Sequence, residues 1–128
     1  MLTASRGAPP PDPRAGHVPA DLATEDGVRE LGRAVTDRLG GVDVLVDNAG
    51  AESAPTPTLE RSDRSRRFEP DITLLAAVRL NRELVPGMVE RGAGVVVHVS
   101  SIASRWPQRS VVCVLPGLVA IAAILPVA

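Results

Sequence analysis

Two short valine-rich runs, VDVLV (42–46) and GVVVHVS (94–100), each follow a segment whose apolar residues recur at helical spacing. That alternation constrains the fold more than any other feature. A brief apolar run after an amphipathic helix reads as a buried strand, and two such units in succession imply a parallel α/β sheet with flanking helices.

The first helix is predicted over ATEDGVRELGRAVTDRLGG (23–41). Thr24 suits its N-cap, and Glu25 and Asp26 suit its positive end. Val28, Leu31, Val35 and Leu39 share one face, and Gly40 is a C-terminal stop. The second helix is predicted over 71–92, with Leu74, Leu75, Val78 and Val85 as its apolar stripe and a kink at Pro86. Ahead of the first helix, MLTASR (1–6) and HVPADL (17–22) read as short strands. Between them GAPPPDPRAG (7–16) reads as a loop, because its four prolines remove donors and fix φ. Residues 51–70, with Pro55, Pro57 and RSDRSRR, read as a loop or irregular helix. VVCVL (111–115) reads as a further strand, ended by Pro116-Gly117. Val44, Val46, Val95 and Val97 are expected in the core.

At 128 residues the chain suffices for one domain with a modest core. Its formal charge of −1 gives no field that favours nucleic acid or an anionic membrane. The lone Cys113 has no internal partner, which suits a reducing, cytoplasmic setting. His17, His98 and Cys113 have no metal-ligand spacing. His98 and Ser100 share a strand face, but no Gly-x-Ser-x-Gly elbow supports a serine hydrolase. All 14 basic residues are arginine and tyrosine is absent, so neither a side-chain amine nor a phenol is at hand.

VDVLVDNAG (42–50), and a helix ending LVPGMVERGAGVVVHVSS (84–101), resemble the short-chain dehydrogenase/reductase family. The likeness covers roughly 1–108, with a weaker echo over 111–121. It implies an NAD(P)-dependent oxidoreductase on a Rossmann-type sheet, here incomplete, acting on a small carbonyl or alcohol. By this resemblance Asn48, Ala49 and Gly50 match a turn beside the cofactor's adenosine. Asp47 stands where an asparagine is usual. Asp21 resembles the carboxylate that meets the adenine amino group. Arg6 resembles the basic residue that meets the 2′-phosphate in NADP-preferring members, a task suited to a guanidinium. Ser101 matches the catalytic serine, and Pro116 and Gly117 match a Pro-Gly near the nicotinamide. Each also has a structural reading: Arg6 as a surface charge, Asp21 as a turn or cap residue, Ser100 and Ser101 as the end of a strand.

The departures fall on the chemistry. The family's Tyr-x-x-x-Lys pair gives the proton and holds the ribose; Val114 and Leu118 stand near the expected places. Thr73 replaces an asparagine that holds a relay water, and Ile121 replaces a threonine after the Pro-Gly. The glycine fingerprint Gly-x-x-x-Gly-x-Gly is missing before residue 42. GMVERGAG (87–94) is a lookalike in the wrong context, between helix and strand. The resemblance thus places residues 1–22 at the family's second and third strands, residues 23–108 at a helix-strand-helix-strand core, and residues 111–128 at a strand and apolar tail. All three belong to one partial Rossmann-like domain. An in-frame deletion near 108–110 accounts for the missing helix, and a frameshift is the rival account. Lacking the family's first strand, residues 1–22 are left to pair edge to edge with the rest, stay apart, or borrow a strand.

These readings predict weak or no dinucleotide binding and no turnover by the chain as it stands. Two alternatives stand beside them. One is a binding or scaffold protein that pairs with another copy or an intact relative through the 71–91 helix. The other is a membrane tail over 111–128, against which Pro116-Gly117 and Pro126 argue.

Overall fold

A computed structural model describes residues 1–50, 60–99 and 125–126. Strand β1 (Leu2–Ser5) pairs in parallel with β2 (Gly16–Pro19). Helix α1 (Glu25–Leu39) follows. Strand β3 (Val44–Asp47) then pairs in parallel with β4 (Val95–His98), Val44 opposite Val95 and Asp47 opposite His98. Between these two strands lie α2 (Asp63–Pro70), a π-helical turn (Asp71–Leu75) and α3 (Ala76–Arg91). A two-residue strand, β5 (Leu125–Pro126), closes on β4 in the antiparallel sense. The strands form two separate sheets, β1-β2 and β3-β4-β5. Of the three options open to residues 1–22, they stay apart.

Helix α1 begins and ends as its sequence requires. The Thr24 hydroxyl accepts a hydrogen bond from the Gly27 amide at 3.1 Å, and Gly40 closes the helix with φ 69°. Gly27 is also forced by proximity. A Cβ there would lie 2.2 Å from the carbonyl oxygen of Asp21, so only glycine lets the first turn sit against the preceding loop. The Ser62 hydroxyl caps α2 by accepting from the Ser65 amide at 3.3 Å. Pro70 has no N–H to continue the helical ladder. The chain widens into the π-turn directly after it and resumes as α3, which runs unbroken through Pro86 to Gly92 at φ 66°.

One apolar cluster joins both sheets to both long helices. It contains Val18 of β2, Leu31 and Val35 of α1, Leu45 of β3, Leu84 and Met88 of α3, and Val96 of β4. The expected core valines are therefore corrected. Leu45 and Val96 are 8% and 5% exposed, whereas Val44 and Val46 are 58% and 54% exposed; Val95 and Val97 are half-buried. Successive residues of a strand point to opposite faces. Here α1 and α3 share the cluster with the Leu45 face, and Val44 and Val46 point away from it. The stripe of the second helix is corrected in the same way. Ile72, Ala76, Leu84 and Met88 are buried, Val85 packs against the core, and Leu74, Leu75 and Val78 are exposed.

Polar contacts fasten the helices to the loops. Arg79 donates to the Ala23 carbonyl at 3.2 Å and to Asp71 at 3.2 Å, tying α3 to the approach of α1. Arg61 forms a buried ion pair with Glu69 of α2. No described helix is long and apolar enough to cross a membrane.

Candidate functional site

A cleft of 1620 Å³ opens between the two sheets. Its sides are β1 and β3, and its floor includes Leu31 and Val35 of α1 with Ala76 and Leu84 of α3. At one end it meets Arg6, the turn Asn48–Gly50, and Thr73.

The expected site residues divide sharply in this frame. Asn48, Ala49 and Gly50 line the cleft, brought there because β3 ends at Asp47. Arg6 also lines it, with its guanidinium 5.4 Å from the centre of the Phe68 ring. That distance is within cation–π range, so the aromatic ring of α2 orients the charge. Asp21 is not among the lining residues. Its carboxylate accepts from the Ala23 amide at 3.1 Å, and its carbonyl accepts from the Thr24 amide and hydroxyl. This is a turn that sets up the helix cap. Ser100, Ser101, Val114, Pro116, Gly117, Leu118 and Ile121 lie outside the described residues.

Thr73 faces the cleft, but its hydroxyl donates to the Glu69 carbonyl at 2.6 Å. Back-bonding of this kind spends the hydroxyl proton inside the helix. What remains is an acceptor, a different instrument from an amide that donates and accepts together.

The structure adds a group that the sequence reading did not assemble. Asp47 and His98 are register partners on β3 and β4, and the Nδ1 of His98 lies 3.0 Å from the Asp47 carboxylate. Asn81 of α3 donates to the same carboxylate oxygen at 3.1 Å. The Asp47 side chain is 6% exposed, and burial raises its pKa above the ordinary carboxylate value, against the lowering effect of His98 and Asn81. The Oδ1 of Asn81 is buried and has no hydrogen-bond partner among the described residues. All three residues border the cleft. The signal was present as a charge at the end of VDVLVD and a histidine inside VVVHVS. Only the β3–β4 register shows that they meet. A carboxylate that holds an imidazole fixes its tautomer and orientation. No described hydroxyl or thiol hydrogen-bonds His98, so these residues supply no nucleophile for it to activate.

A dinucleotide requires a close backbone approach for its pyrophosphate as well as a pocket for its adenosine. The cleft end formed by Arg6 and Asn48–Gly50 has the polarity for the second. No glycine-rich turn between strand and helix N-terminus exists in the sequence for the first.

A parallel sheet backed by helices defines a Rossmann-type α/β protein. The short chain dehydrogenase model matches residues 7–114, and the chain belongs to that family. It is 37% identical over 86 residues to a fatty acyl-CoA reductase of Mycobacterium tuberculosis, covering 66% of this chain and 29% of that protein. It is 36% identical over 85 residues to nodulation protein G of Rhizobium meliloti, covering 66% and 34%. Among solved structures, L-sorbose reductase of Gluconobacter frateurii, complexed with NADPH and L-sorbose, superposes with a TM-score of 0.67 at 40% identity, over 73% of this chain and 35% of that one. Serine dehydrogenase of Escherichia coli shares the fold at TM-score 0.73 and 21% identity, over 88% and 55%. The chain spans about a third of the length of the curated relatives it matches.

Proposed function

We propose that these 128 residues are a non-catalytic portion of an NAD(P)-dependent oxidoreductase of the short-chain family. One observation carries the reading: the sequence has neither the tyrosine nor the lysine that the family's proton transfer uses. Acid–base catalysis of this kind contributes roughly 10²–10⁴-fold, and untuned water does not replace it. Thr73, its proton held by Glu69, adds to the deficit. Ser101 retains the capacity to polarise a substrate oxygen but brings no proton donor with it. The chain is expected to show no NAD(P)H-dependent reduction above buffer across a panel of ketones and aldehydes. Turnover that survives purification and vanishes in Ser101→Ala would overturn the reading.

Dinucleotide binding by this chain is weak in the same reading, with Arg6 favouring NADP over NAD and a cytoplasmic setting. The support is the Arg6 guanidinium, held at the cleft by Phe68 beside Asn48–Gly50. Calorimetric titration tests this, and sub-micromolar NADPH affinity refutes it.

A second reading, as a binding partner of another copy or of an intact relative, is favoured by the exposed apolar residues of the 71–91 helix. Leu74, Leu75 and Val78 are exposed there together. Sedimentation equilibrium of the chain, alone and mixed with such a relative, tests it. Two monomeric species that ignore each other remove it.

A further inference from the structure

Helix α2 has eight residues, and the one it buries is charged: Glu69, 3% exposed. A carboxylate taken out of water needs a partner, and Arg61, itself buried, provides it. Arg61 precedes the Ser62 cap and Glu69 lies in the last turn, so the pair spans the whole of α2. Two buried charges add little stability over an apolar pair of the same shape. What they add is direction, because a guanidinium fork meets a carboxylate in few arrangements. Successive residues of a helix are set about 100° apart around its axis, so the rotation that buries Glu69 also fixes where Phe68 points.

Phe68 points at Arg6. The ring is one of two aromatic side chains in the sequence, and its centre is 5.4 Å from the guanidinium. Arg6 borders the cleft and Phe68 does not, so the ring supports the charge from outside the ligand space. Among the described residues no carboxylate pairs with Arg6. A ring face leaves the N–H donors of the guanidinium for another acceptor. A cation held in place with its donors unspent is prepared for a phosphomonoester, since less freedom is lost on binding. We propose that the buried Arg61–Glu69 pair and Phe68 are positioning residues that act through Arg6 and set its preference for a 2′-phosphorylated adenosine. The inference rests on the assignment of Arg6 to a 2′-phosphate and adds residues of α2 that the sequence resemblance did not mark.

The test uses the 128-residue chain with 2′-AMP and 5′-AMP, two probes of equal charge that differ in where the phosphate sits, titrated by NMR. The wild type should favour 2′-AMP. Phe68→Leu should weaken 2′-AMP by about fivefold and leave 5′-AMP unchanged, and Phe68→Trp should restore the preference. The double variant Arg61→Met with Glu69→Leu removes the pair without stranding a buried charge, and it should lose the same preference while keeping the helical circular dichroism. In the wild type the ring should also displace the Arg6 Hε resonance upfield. A random-coil position for that resonance overturns the proposal with no variant at all, should the variants fail to fold. A preference that survives Phe68→Leu but disappears in Arg6→Ala overturns this inference and leaves the assignment of Arg6 standing. So does an equal loss of both probes in Phe68→Leu, or a double variant with unchanged preference. A wild type that does not distinguish the probes, or binds neither, overturns both the assignment and the inference.

Discussion

The two faces of β3 and β4 are built from the same residue types and meet opposite fates. On one face Leu45 and Val96 are sealed among Leu31, Val35, Leu84 and Met88. On the other, Val44 and Val46 are more than half exposed. Hydrophobicity alone therefore does not place a residue in this core; a covering helix does. A parallel sheet in this class of fold is ordinarily covered on both faces, and its strands are apolar throughout for that reason. The described part of this chain supplies cover for one.

The largest expected effect breaks the covered face. Leu45→Ala removes a side chain from the centre of the cluster and should cost about 2–5 kcal/mol, enough to unfold a domain of this size in part or whole. Urea denaturation followed by circular dichroism reads it. Gly27→Ala comes next. Its Cβ would meet the Asp21 backbone at 2.2 Å, and the cost of moving that loop should be about 1–3 kcal/mol, visible as a lowered Tm.

Asp47 sharpens the comparison at the rim, where the covered face meets the cleft. Its pKa is raised in the folded state, so the native protein holds this proton more tightly than the unfolded chain. The stability linked to it is present below the ordinary carboxylate pKa and lost as pH rises through the elevated value. Asp47→Asn should flatten the stability profile in the window just above 3.8, the ordinary value. Urea midpoints measured from acid to neutral pH decide it; an unchanged slope across that window refutes the assignment. The smallest effect belongs to the open face. Val44→Thr and Val46→Thr should each change stability by less than about 0.5 kcal/mol, because little burial is lost. A loss near that of Leu45→Ala in the same denaturation experiment would show that this face is covered in solution.

Much of this was legible locally. The Thr24 cap, the Gly40 stop and the acidic first turn define α1 within the chain itself, because capping is a short-range matter of orphan N–H groups. The parallel pairing of 42–46 with 94–99 followed from strand-helix-strand order. Asn48–Gly50 and Arg6, matched by the resemblance to positions beside a cofactor's adenosine and 2′-phosphate, line the cleft. The phase of burial was not legible. In VDVLVD and GVVVHVS nearly every position is apolar, so neither face is marked, and only the position of α1 and α3 selects Leu45 and Val96. The same held on the 71–91 helix, where two apolar stripes compete and packing chose the one with Ala76, Leu84 and Met88. Asp21, which resembles an adenine-contacting carboxylate and also reads as a turn residue, makes a turn's hydrogen bonds with Ala23 and Thr24.

The sequence by itself determined the ends of α1, the positions of β3 and β4, the family, and the absence of a phenol and an amine for proton transfer. These depend on residue identity and near-neighbour spacing, which a linear chain states in full. The tertiary structure alone decided which face of each element is buried, that His98 and Asn81 converge on one carboxylate oxygen of Asp47, and that β1 and β3 border a common cleft. Those outcomes depend on contacts between residues far apart in sequence, and such contacts exist only after the helices have docked on the sheet.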